Sequence, residues 1–320
     1  MTTIPSANPD MHVGSGRAQS LREPTTPPTS GREAAAGRPT PLSAANIDLH
    51  CHSCISDGAL PPAEVVTRAR RLGVDVLALT DHDEVAGLAE AEAAAAAQGL
   101  RFIPGVEISV TWARRGVHIV GLNIDPHDAQ LRAGLAQTRR GRLARAGRIA
   151  EQLERVGHPG GLEAAQRLAS NPEIISRTHF ARFLVERGAA PSVGKVFEHY
   201  LSPGKPGFEP MQWASLEDAL SWIHGAGGRA VIAHPGRYTY DRTAFDAFFA
   251  AFADLGGEGI EVITGSHTPE QYREYAEVAA RYGFLASRGS DFHAPDESRV
   301  DLGQLPFLPP HLTPVWHDWL

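Results

Sequence analysis

Histidines and carboxylates recur in this sequence where predicted β-strands begin or end. His50 and His52 stand two residues apart at the end of the first predicted strand, so both imidazoles point to the same face. The whole set contains six histidines, two aspartates and one glutamate: His50, His52, Asp57, His82, Glu107, His118, His234, Asp291 and His293. Imidazole nitrogen and carboxylate oxygen are ligands for Zn²⁺, Mn²⁺ and Fe²⁺, so the pattern predicts a metal site.

The size of this set indicates more than one metal ion. Nine ligands are too many for one tetrahedral or octahedral ion that keeps an open position, and three ions that share bridging groups account for the number better. Neighbouring ions can generate hydroxide and stabilise charge on the attacking and leaving oxygens. Three carboxylates against three divalent ions leave the site positive, which favours an anionic substrate such as a phosphate ester.

Other interpretations of the same residues remain open. A single histidine such as His118 could be an ordinary core or surface residue. The run from Cys51 to Cys54 has the spacing of a redox or zinc motif, but the sequence holds no second cysteine pair, and we disfavour this interpretation. Asp81 and Asp83 flank His82, and we expect them to orient ligands rather than to be ligands.

Strands and helices alternate along the part of the chain that carries these residues. Apolar runs predict strands at 47–52, 74–80, 101–112, 117–124, 229–233, 259–263 and 284–290. Helices are predicted at 61–72, 84–98, 215–225, 243–255 and 269–282. About seven strands with mostly helical crossovers predict an α/β fold with a parallel sheet or barrel, whose active site would lie at the carboxyl ends of its strands.

Residues 128–207 interrupt this alternation and show no strand pattern. They read as helices, including 129–156 and 178–187, and carry 13 Lys/Arg and 7 Asp/Glu, a net charge of +6 against −13 for the rest of the chain. Five arginines lie close together: Arg139, Arg140, Arg142, Arg145 and Arg148. They could simply face water, or they could contact a nucleic-acid backbone.

Composition bounds the remaining possibilities. Of 320 residues, 42% are hydrophobic and 21% are charged, which is typical of a globular protein. The net charge of −7 argues against a protein coated with nucleic acid, and no apolar run is long enough to predict a membrane span. Two cysteines fit a reducing compartment, and we predict a cytoplasmic protein. Residues 1–44 are predicted to be a disordered tail, without the apolar stretch of a secretory signal.

Short motifs in a fixed order resemble those of the PHP (polymerase and histidinol phosphatase) family over about residues 46–307. They are Asp48-Leu49-His50-Cys51-His52, Ser56-Asp57-Gly58, Thr80-Asp81-His82-Asp83, Gly105-Val106-Glu107, Ala233-His234-Pro235 and Ser290-Asp291-Phe292-His293. The resemblance implies a distorted seven-stranded β/α barrel with a trinuclear metal centre, with the nine residues above as ligands. It also implies a barrel at 45–127 and 208–320, with 128–207 as an all-helical insertion domain. We expect Glu107, Asp291 and His82 to hold the catalytic metal-bound hydroxide.

Further motifs resemble the branch of this family that contains 3′,5′-nucleoside bisphosphate phosphatases and ribonuclease AM. They are Ser176-Arg177-Thr178-His179, Tyr200 to Pro206, the run through Arg237 and Tyr238, and Thr264-Gly265-Ser266-His267. The branch often has Arg-Pro-His where this chain has Arg177-Thr178-His179. The resemblance implies removal of the 3′-phosphate from nucleoside 3′,5′-bisphosphates such as pAp, and release of 5′-mononucleotides from short 5′-phosphorylated RNA.

The same resemblance implies three divalent ions, with Mn²⁺ favoured over Zn²⁺ or Fe²⁺. The sequence gives no evidence of an obligate protein partner or of a membrane. The expected substrate-binding residues are Arg177, His179, Lys205, Arg237 and His267. Arg177 could instead form a buried ion pair, Lys205 could be an exposed loop lysine, and His267 could support the site from behind. The alternative functions are hydrolysis of another small phosphomonoester such as histidinol phosphate, trimming of longer RNA, and a catalytically degenerate metal-bound interaction module.

Overall fold

The computed structural model describes residues 45–319. The predicted disordered tail at residues 1–44 lies outside the described residues. Within residues 45–319, none of the helices has the length and apolar character needed to cross a bilayer.

Seven strands form one sheet in chain order. Their bounds are β1 Ile47–Asp48, β2 Val76–Leu79, β3 Arg101–Trp112, β4 Arg115–Leu122, β5 Arg229–Ile232, β6 Gly259–Thr264 and β7 Leu285–Gly289. The backbone N–H of Leu49 donates to the carbonyl of Arg288 at 3.0 Å, and that of Asp291 donates to the carbonyl of His50 at 2.8 Å. Because these bonds join the two ends of the sheet, the predicted seven-stranded α/β barrel is confirmed.

Ten α-helices accompany the sheet in residues 45–319. Those outside the predicted insertion are α1 Pro62–Arg71, α2 Leu88–Gln98, α8 Leu216–Gly225, α9 Arg242–Asp254 and α10 Pro269–Tyr282. Ser215, Asp241 and Thr268 cap the first turns of α8, α9 and α10 with side-chain oxygens. The apolar faces of these helices pack on the strands and form the main hydrophobic core.

The prediction of a parallel sheet is wrong for one strand. β4 runs antiparallel to both β3 and β5, while the other neighbouring pairs are parallel. Only Ala113 and Arg114 separate β3 from β4, and both have positive φ, 44° and 64°. Such a two-residue turn joins antiparallel strands, whereas a parallel crossover needs a dozen or more residues.

The first strand is shorter than the predicted 47–52 and ends at Asp48. His50 and His52 therefore lie beyond the ladder, in a segment held by the isolated bridge between Cys51 and Phe292. Gly289 at the end of β7 allows this close approach, because a Cβ there would stand 2.3 Å from the Cβ of His50.

Between β4 and β5 the chain is helical, as predicted. The helices are α3 Ala129–Arg139, α4 Arg142–Arg155, α5 Gly161–Leu168, α6 Arg177–Glu186 and α7 Val193–Val196, followed by a π-helical turn at Phe197–Leu201. Residues from Ala146 to Leu201 form a hydrophobic cluster separate from the barrel core. This cluster supports a separate insertion domain at 128–207, which stays a prediction.

The single helix predicted at 129–156 is wrong, because the chain breaks between α3 and α4 at Arg140 and Gly141. Gly141 precedes α4, and a Cβ at this position would meet the methyl group of Met211 at 2.4 Å. The contact gives a reason for glycine here. Helix propensity alone does not reveal such a close approach.

The packing of α3 on α8 can be tested with Gly134 on α3, and Gly147 on α4 provides a comparison. A Cβ at Gly134 would lie 2.3 Å from the indole ring of Trp222, whereas a Cβ at Gly147 would meet nothing within 4 Å. We expect Gly134→Ala to destabilise the protein by roughly 1–3 kcal/mol through overpacking. Gly147→Ala should stabilise it by about 0.5–1 kcal/mol, because alanine loses less backbone entropy in a helix. Urea unfolding of both variants checks this, and similar shifts for the two would contradict the packing described.

Candidate metal centre

The structure brings together all nine residues predicted as metal ligands. Four overlapping groups each place their ligand atoms within 4.8 Å of one another. The groups are His52, Asp57, His82 and His293; His50, His52 and Glu107; His50, His234 and Asp291; and His82, Glu107 and His118. Neither cysteine belongs to such a group within residues 45–319, and the buried Cys51 thiol donates to the carbonyl of Ala78 instead.

Glu107 on β3 lies at the middle of this cluster and is fully buried. Its Oε1 atom is 2.8 Å from Nδ1 of His118 on the neighbouring β4 and 2.9 Å from Nε2 of His234 after β5. Its Oε2 atom is 3.4 Å from the Nε2 atoms of His50 and His52 after β1. Residues from four strands or their carboxyl ends therefore converge on one carboxylate, as expected for this face of a barrel.

Several nitrogen and oxygen atoms of the candidate ligands are buried without a hydrogen-bond partner in residues 45–319. They are Nδ1 of His52, His82 and His234, Oε2 of Glu107, and Oδ1 of Asp57 and Asp291. His82 Nδ1 and Glu107 Oε2 lie 2.8 Å apart, yet their geometry is not that of a hydrogen bond. Buried polar atoms without partners are costly in a native protein. Nitrogen and oxygen atoms that share one space in this way fit divalent cations.

The pKa values of some of these groups suit cation binding, whereas nearby carboxylates outweigh burial and raise the pKa values of His50, His82 and His293. Burial, followed by the nearby imidazoles of His293 and His82, lowers the pKa of His52 to about 3. Burial and then Arg237 lower the pKa of His234 to about 3. Burial alone would raise the pKa of Glu107, but the surrounding imidazoles outweigh it and hold this pKa well below its usual value. Neutral imidazoles and an ionised carboxylate are the forms that coordinate metals.

Two of the nine residues have strained backbones. His234 has φ 28° and Asp291 has φ 55°, values that residues with a Cβ rarely adopt. Such strain persists only when the surrounding structure holds it, and it concentrates at functional sites. Here the N–H of His234 donates to Glu261 at 2.5 Å, and the N–H of Asp291 donates to the carbonyl of His50 at 2.8 Å.

Glu261 was missed by the sequence analysis, which found no site residue on the sixth strand. Its carboxylate is buried on β6, with Oε1 2.6 Å from Nδ1 of His50 and Oε2 accepting from the N–H of His234. Burial would lower the pKa of His50, but Glu261, Glu107 and Asp291 outweigh it and raise this pKa. A carboxylate that accepts from the far nitrogen of a metal-binding histidine fixes the ring orientation. The sequence signal that could have revealed this residue was a single glutamate within the apolar run 259–264.

Asp81 and Asp83 belong to none of the candidate metal groups, in keeping with the orienting role expected of them. Asp81 accepts hydrogen bonds from the hydroxyls of Ser53 and Ser56, both at 2.6 Å, and so shapes the turn that carries Asp57. Asp83 forms a buried ion pair with Arg142.

The interpretation that the five clustered arginines simply face water is wrong for two of them. Arg142 and Arg145 are buried, with 4% and 6% of their surface exposed. Arg148, by contrast, pairs with Glu209 and is about half exposed. Charge patterning cannot distinguish the buried arginines from the exposed ones, because the buried ones are held by residues distant in sequence.

The start of α6 lies against the metal cluster. The hydroxyls of Ser176 and Thr178 donate to Oδ2 of Asp57 at 3.0 and 2.9 Å. Arg177 stands between them; its Nη1 donates to the carbonyl of Leu201 at 3.1 Å. Its guanidinium also lies 5.4 Å from the ring centre of Phe197. Within residues 45–319 Arg177 has no carboxylate partner, so the alternative of a buried ion pair finds no support in the described part of the chain.

The other four residues predicted to bind substrate lie in different settings. His179 is buried, and its Nδ1 accepts from the N–H of Ser176 in the cap of α6. Lys205 is exposed on a loop. Arg237 is half exposed, with Nη1 2.7 Å from Oδ2 of Asp291.

His267 is buried, and both ring nitrogens have backbone partners. Nδ1 lies 3.2 Å from the carbonyl of Val262, and Nε2 accepts from the N–H of Gly236 at 3.0 Å. Burial lowers the pKa of this imidazole to about 4. The geometry favours support of the turn that carries Arg237 over contact with a substrate.

Glu261→Gln tests the importance of ring orientation. The amide can keep one hydrogen bond but cannot accept strongly at both positions, so we expect metal affinity to fall by about 10–100-fold. Titration of metal-free protein with Mn²⁺, followed by measurement of bound metal, checks this. The matched control is Glu258→Gln, which changes a carboxylate that contacts Ala230 and His224 outside the cluster. Unchanged affinity in Glu261→Gln would rule out the positioning role.

The sequence and fold are similar to those of known proteins. A PHP domain family model matches residues 48–170. The chain is 54% identical over 274 residues to a 3′,5′-nucleoside bisphosphate phosphatase of Chromobacterium violaceum, covering 86% of this chain and 96% of that protein. It is 44% identical over 274 residues to the 5′-3′ exoribonuclease Rnm of Escherichia coli, covering 85% and 93%.

Solved structures agree with this similarity. An amidohydrolase structure from Chromobacterium violaceum, with bound sulfate and no metal, superposes with a TM-score of 0.83 at 54% identity, covering 86% of this chain and 95% of that one. A structure from Bifidobacterium adolescentis, described as a metal-dependent phosphoesterase, gives a TM-score of 0.71 at 30% identity, covering 85% and 93%. The barrel and the converging histidines and carboxylates agree with this similarity. The chain therefore belongs to the PHP domain family of phosphoesterases.

Proposed function

We propose that this protein removes the 3′-phosphate from nucleoside 3′,5′-bisphosphates and releases 5′-mononucleotides from short 5′-phosphorylated RNA. Relatives at 54% and 44% identity are named a 3′,5′-nucleoside bisphosphate phosphatase and a 5′-3′ exoribonuclease, and these names support the proposal. The observation that carries the proposal is the position of Arg177, a cation without a carboxylate partner in residues 45–319. It stands between Ser176 and Thr178, whose hydroxyls donate to the candidate ligand Asp57. A metal cluster can cleave a phosphate ester, and a separate cation beside it can bind a second phosphate.

One arrangement accounts for both reactions. The oxygen of water forms a bond to the phosphorus attached to the 3′-oxygen, the bond from phosphorus to the 3′-oxygen breaks, and that oxygen takes a proton. With pAp the products are AMP and phosphate. With RNA they are a 5′-mononucleotide and a shortened chain with a new 5′-phosphate. In both substrates the phosphate that is not cleaved sits on the 5′-oxygen of the first nucleoside.

The cofactor that we propose is a set of three divalent ions, Mn²⁺ in preference to Zn²⁺ or Fe²⁺, held by the nine histidines and carboxylates. When bound, such ions lower the pKa of water and neutralise charge on the phosphate oxygens. We assign to Glu107, Asp291 and His82 the placement of the attacking oxygen. Mixed imidazole and carboxylate ligands are compatible with each of these metals.

Two arginines have distinct parts in this proposal. Arg237 follows the ligand His234 and contacts Asp291, so its exposed guanidinium is placed to bind the phosphate being cleaved. Arg177 at the start of α6 is placed to bind the distant 5′-phosphate, since guanidinium groups pair well with phosphate oxygens. The free cysteines Cys51 and Cys54 fit a cytoplasmic location for these reactions.

A panel of substrates tests the function. Phosphate release from pAp, 3′-AMP, 5′-AMP and histidinol phosphate is measured in Mn²⁺, together with nucleotide release from a short 5′-phosphorylated RNA. We expect pAp and the RNA to exceed 3′-AMP by at least about tenfold in kcat/KM, because the second phosphate adds charge-assisted hydrogen bonds. Equal or faster hydrolysis of unrelated phosphomonoesters would contradict the nucleotide assignment.

Arg177→Ala tests the 5′-phosphate contact. We expect kcat/KM for pAp to fall by about 10–100-fold, since one lost charge-assisted contact is worth about 1.5–3 kcal/mol. Hydrolysis of p-nitrophenyl phosphate and the bound metal content should be retained. The control Arg187→Ala removes an arginine at the other end of α6, which stacks on Phe183. Equal loss on both substrates would show that Arg177 does not select the 5′-phosphate.

A further inference from the structure

Tyr238 follows β5 and has no part in the proposed function. The short 3₁₀ turn Pro235–Arg237 folds the chain back after His234, and the ring of Tyr238 lies edge-on to the His234 imidazole with ring centres 5.7 Å apart. The N–H of His118 on β4 donates to the Tyr238 hydroxyl at 2.9 Å, and this hydroxyl donates to the carbonyl of Ala233 at 2.8 Å. One side-chain oxygen therefore joins the backbone of one candidate ligand to the residue directly before another.

The hydroxyl stands where a hydrogen bond of the β4–β5 ladder is expected. The register pairs Ile119 with Ile232, so the next facing pair is His118 and Ala233. The two residues of a hydrogen-bonded antiparallel pair exchange two backbone bonds. Here the N–H of Ala233 donates directly to the carbonyl of His118 at 3.1 Å, whereas the bridge through Tyr238 replaces the reciprocal bond. Two hydrogen bonds in series span a longer distance than one, so the hydroxyl holds the strands apart at this end.

The bridge depends on the ability of a hydroxyl to donate and accept at once. The Tyr238 hydroxyl has a single proton, and the carbonyl of Ala233 is its nearer acceptor, because the carbonyl of His118 is 3.5 Å away. The oxygen remains free to accept from the N–H of His118. A phenylalanine at this position would fill the same space with its ring but could form neither bond.

The two histidines held in this way meet at one carboxylate oxygen. Nδ1 of His118 and Nε2 of His234 lie 2.8 and 2.9 Å from Oε1 of Glu107. The two imidazoles nevertheless belong to different candidate metal groups. Because one follows from the position of β4 and the other from the end of β5, the separation of these strands decides how far apart the imidazoles stand.

We propose that the Tyr238 hydroxyl is a positioning group, which sets the spacing of His118 and His234 so that each can bind its own divalent ion beside Glu107. The inference rests on the metal cofactor of the proposed function and not on the choice of substrate. The hydroxyl acts through the backbone of the two ligand segments. Groups that orient metal ligands in this indirect way affect metal affinity nearly as strongly as some ligands do.

Tyr238→Phe removes the hydroxyl and keeps the ring. The N–H of His118 and the carbonyl of Ala233 then either stay unpaired or bond directly, which would draw β4 and β5 together. Either result removes the constraint on the two imidazoles, so we expect the affinity for at least one Mn²⁺ ion per chain to fall by about 10–100-fold. Equilibrium dialysis of the metal-free protein against Mn²⁺ measures this affinity.

Two further readouts separate positioning from a simple loss of stability. Neighbouring Mn²⁺ ions couple magnetically, so the EPR spectrum of the Mn²⁺-saturated protein reports their arrangement, and we expect the spectrum to change in Tyr238→Phe. At saturating Mn²⁺, kcat should fall to a similar extent for pAp and p-nitrophenyl phosphate. The KM for pAp should stay within about threefold, because the proposed phosphate contact of Arg177 is unaltered.

The matched control is Tyr240→Phe. The hydroxyl of Tyr240 also donates to a backbone carbonyl, that of Trp112 at 2.9 Å, but this carbonyl does not adjoin a candidate ligand. We expect Tyr240→Phe to keep the EPR spectrum and to keep Mn²⁺ affinity within about twofold, since it removes the same kind of hydrogen bond from a place outside the cluster.

A second variant covers the case in which Tyr238→Phe does not fold, as judged by circular dichroism. Tyr238→4-aminophenylalanine then takes its place. Its amino group donates well but accepts only weakly, so we expect a smaller loss of Mn²⁺ affinity, of about threefold or more.

The outcomes distinguish this inference from the proposed function. If the unmodified protein binds fewer than two Mn²⁺ ions per chain, the proposed cofactor fails and the inference fails with it. If the ions bind but no phosphate is released from pAp, the proposed function fails, and the binding data alone decide the role of Tyr238. A folded Tyr238 variant with unchanged Mn²⁺ affinity and EPR spectrum, or an equal loss in Tyr240→Phe, would overturn the positioning role.

Discussion

The buried carboxylate of Glu107 is the interaction on which the arrangement of this site depends. Five imidazoles surround it: those of His50, His52, His82, His118 and His234. Packed together without a negative group, these rings would leave many buried nitrogens unsatisfied, at considerable free-energy cost. Because Glu107 lies within the long strand β3, its position is set by the ladder to β4 on one side and by the bridge to His82 on the other. The barrel thus supplies a rigid point around which the other elements place their side chains.

The remaining support comes from groups at the edge of the cluster. Glu261 on β6 contacts the ring of His50 and the backbone N–H of His234. Asp81 accepts hydrogen bonds in the turn that carries Asp57. The strained backbones of His234 and Asp291 are fixed by hydrogen bonds that their N–H groups donate to Glu261 and to the carbonyl of His50. The positions of these candidate ligands are therefore set in part by groups outside the cluster.

The order of strands and the candidate ligands could be predicted from the sequence because both depend on local patterns. Apolar runs mark strands, and polar residues at strand ends of a barrel meet at one face. The direction of β4 depended on a short turn whose left-handed residues, Ala113 and Arg114, are not the usual glycine or asparagine. The contacts of Glu261 and the burial of Arg145 could not be predicted because both depend on partners far along the chain. No periodicity reports whether an arginine stacks on Trp213 or faces water.

The hydrogen bonds from Ser176 and Thr178 to Asp57 have a further consequence. They connect the first turn of α6 to a candidate ligand, and Arg177 occupies the same turn. Any ion that binds Asp57 more tightly when this turn is docked must, by thermodynamic linkage, favour docking of the turn to the same extent. Withdrawal of metal would then loosen the helix that carries Arg177, the proposed phosphate contact. Chelation and weakened nucleotide binding would thus be two readouts of one coupling free energy.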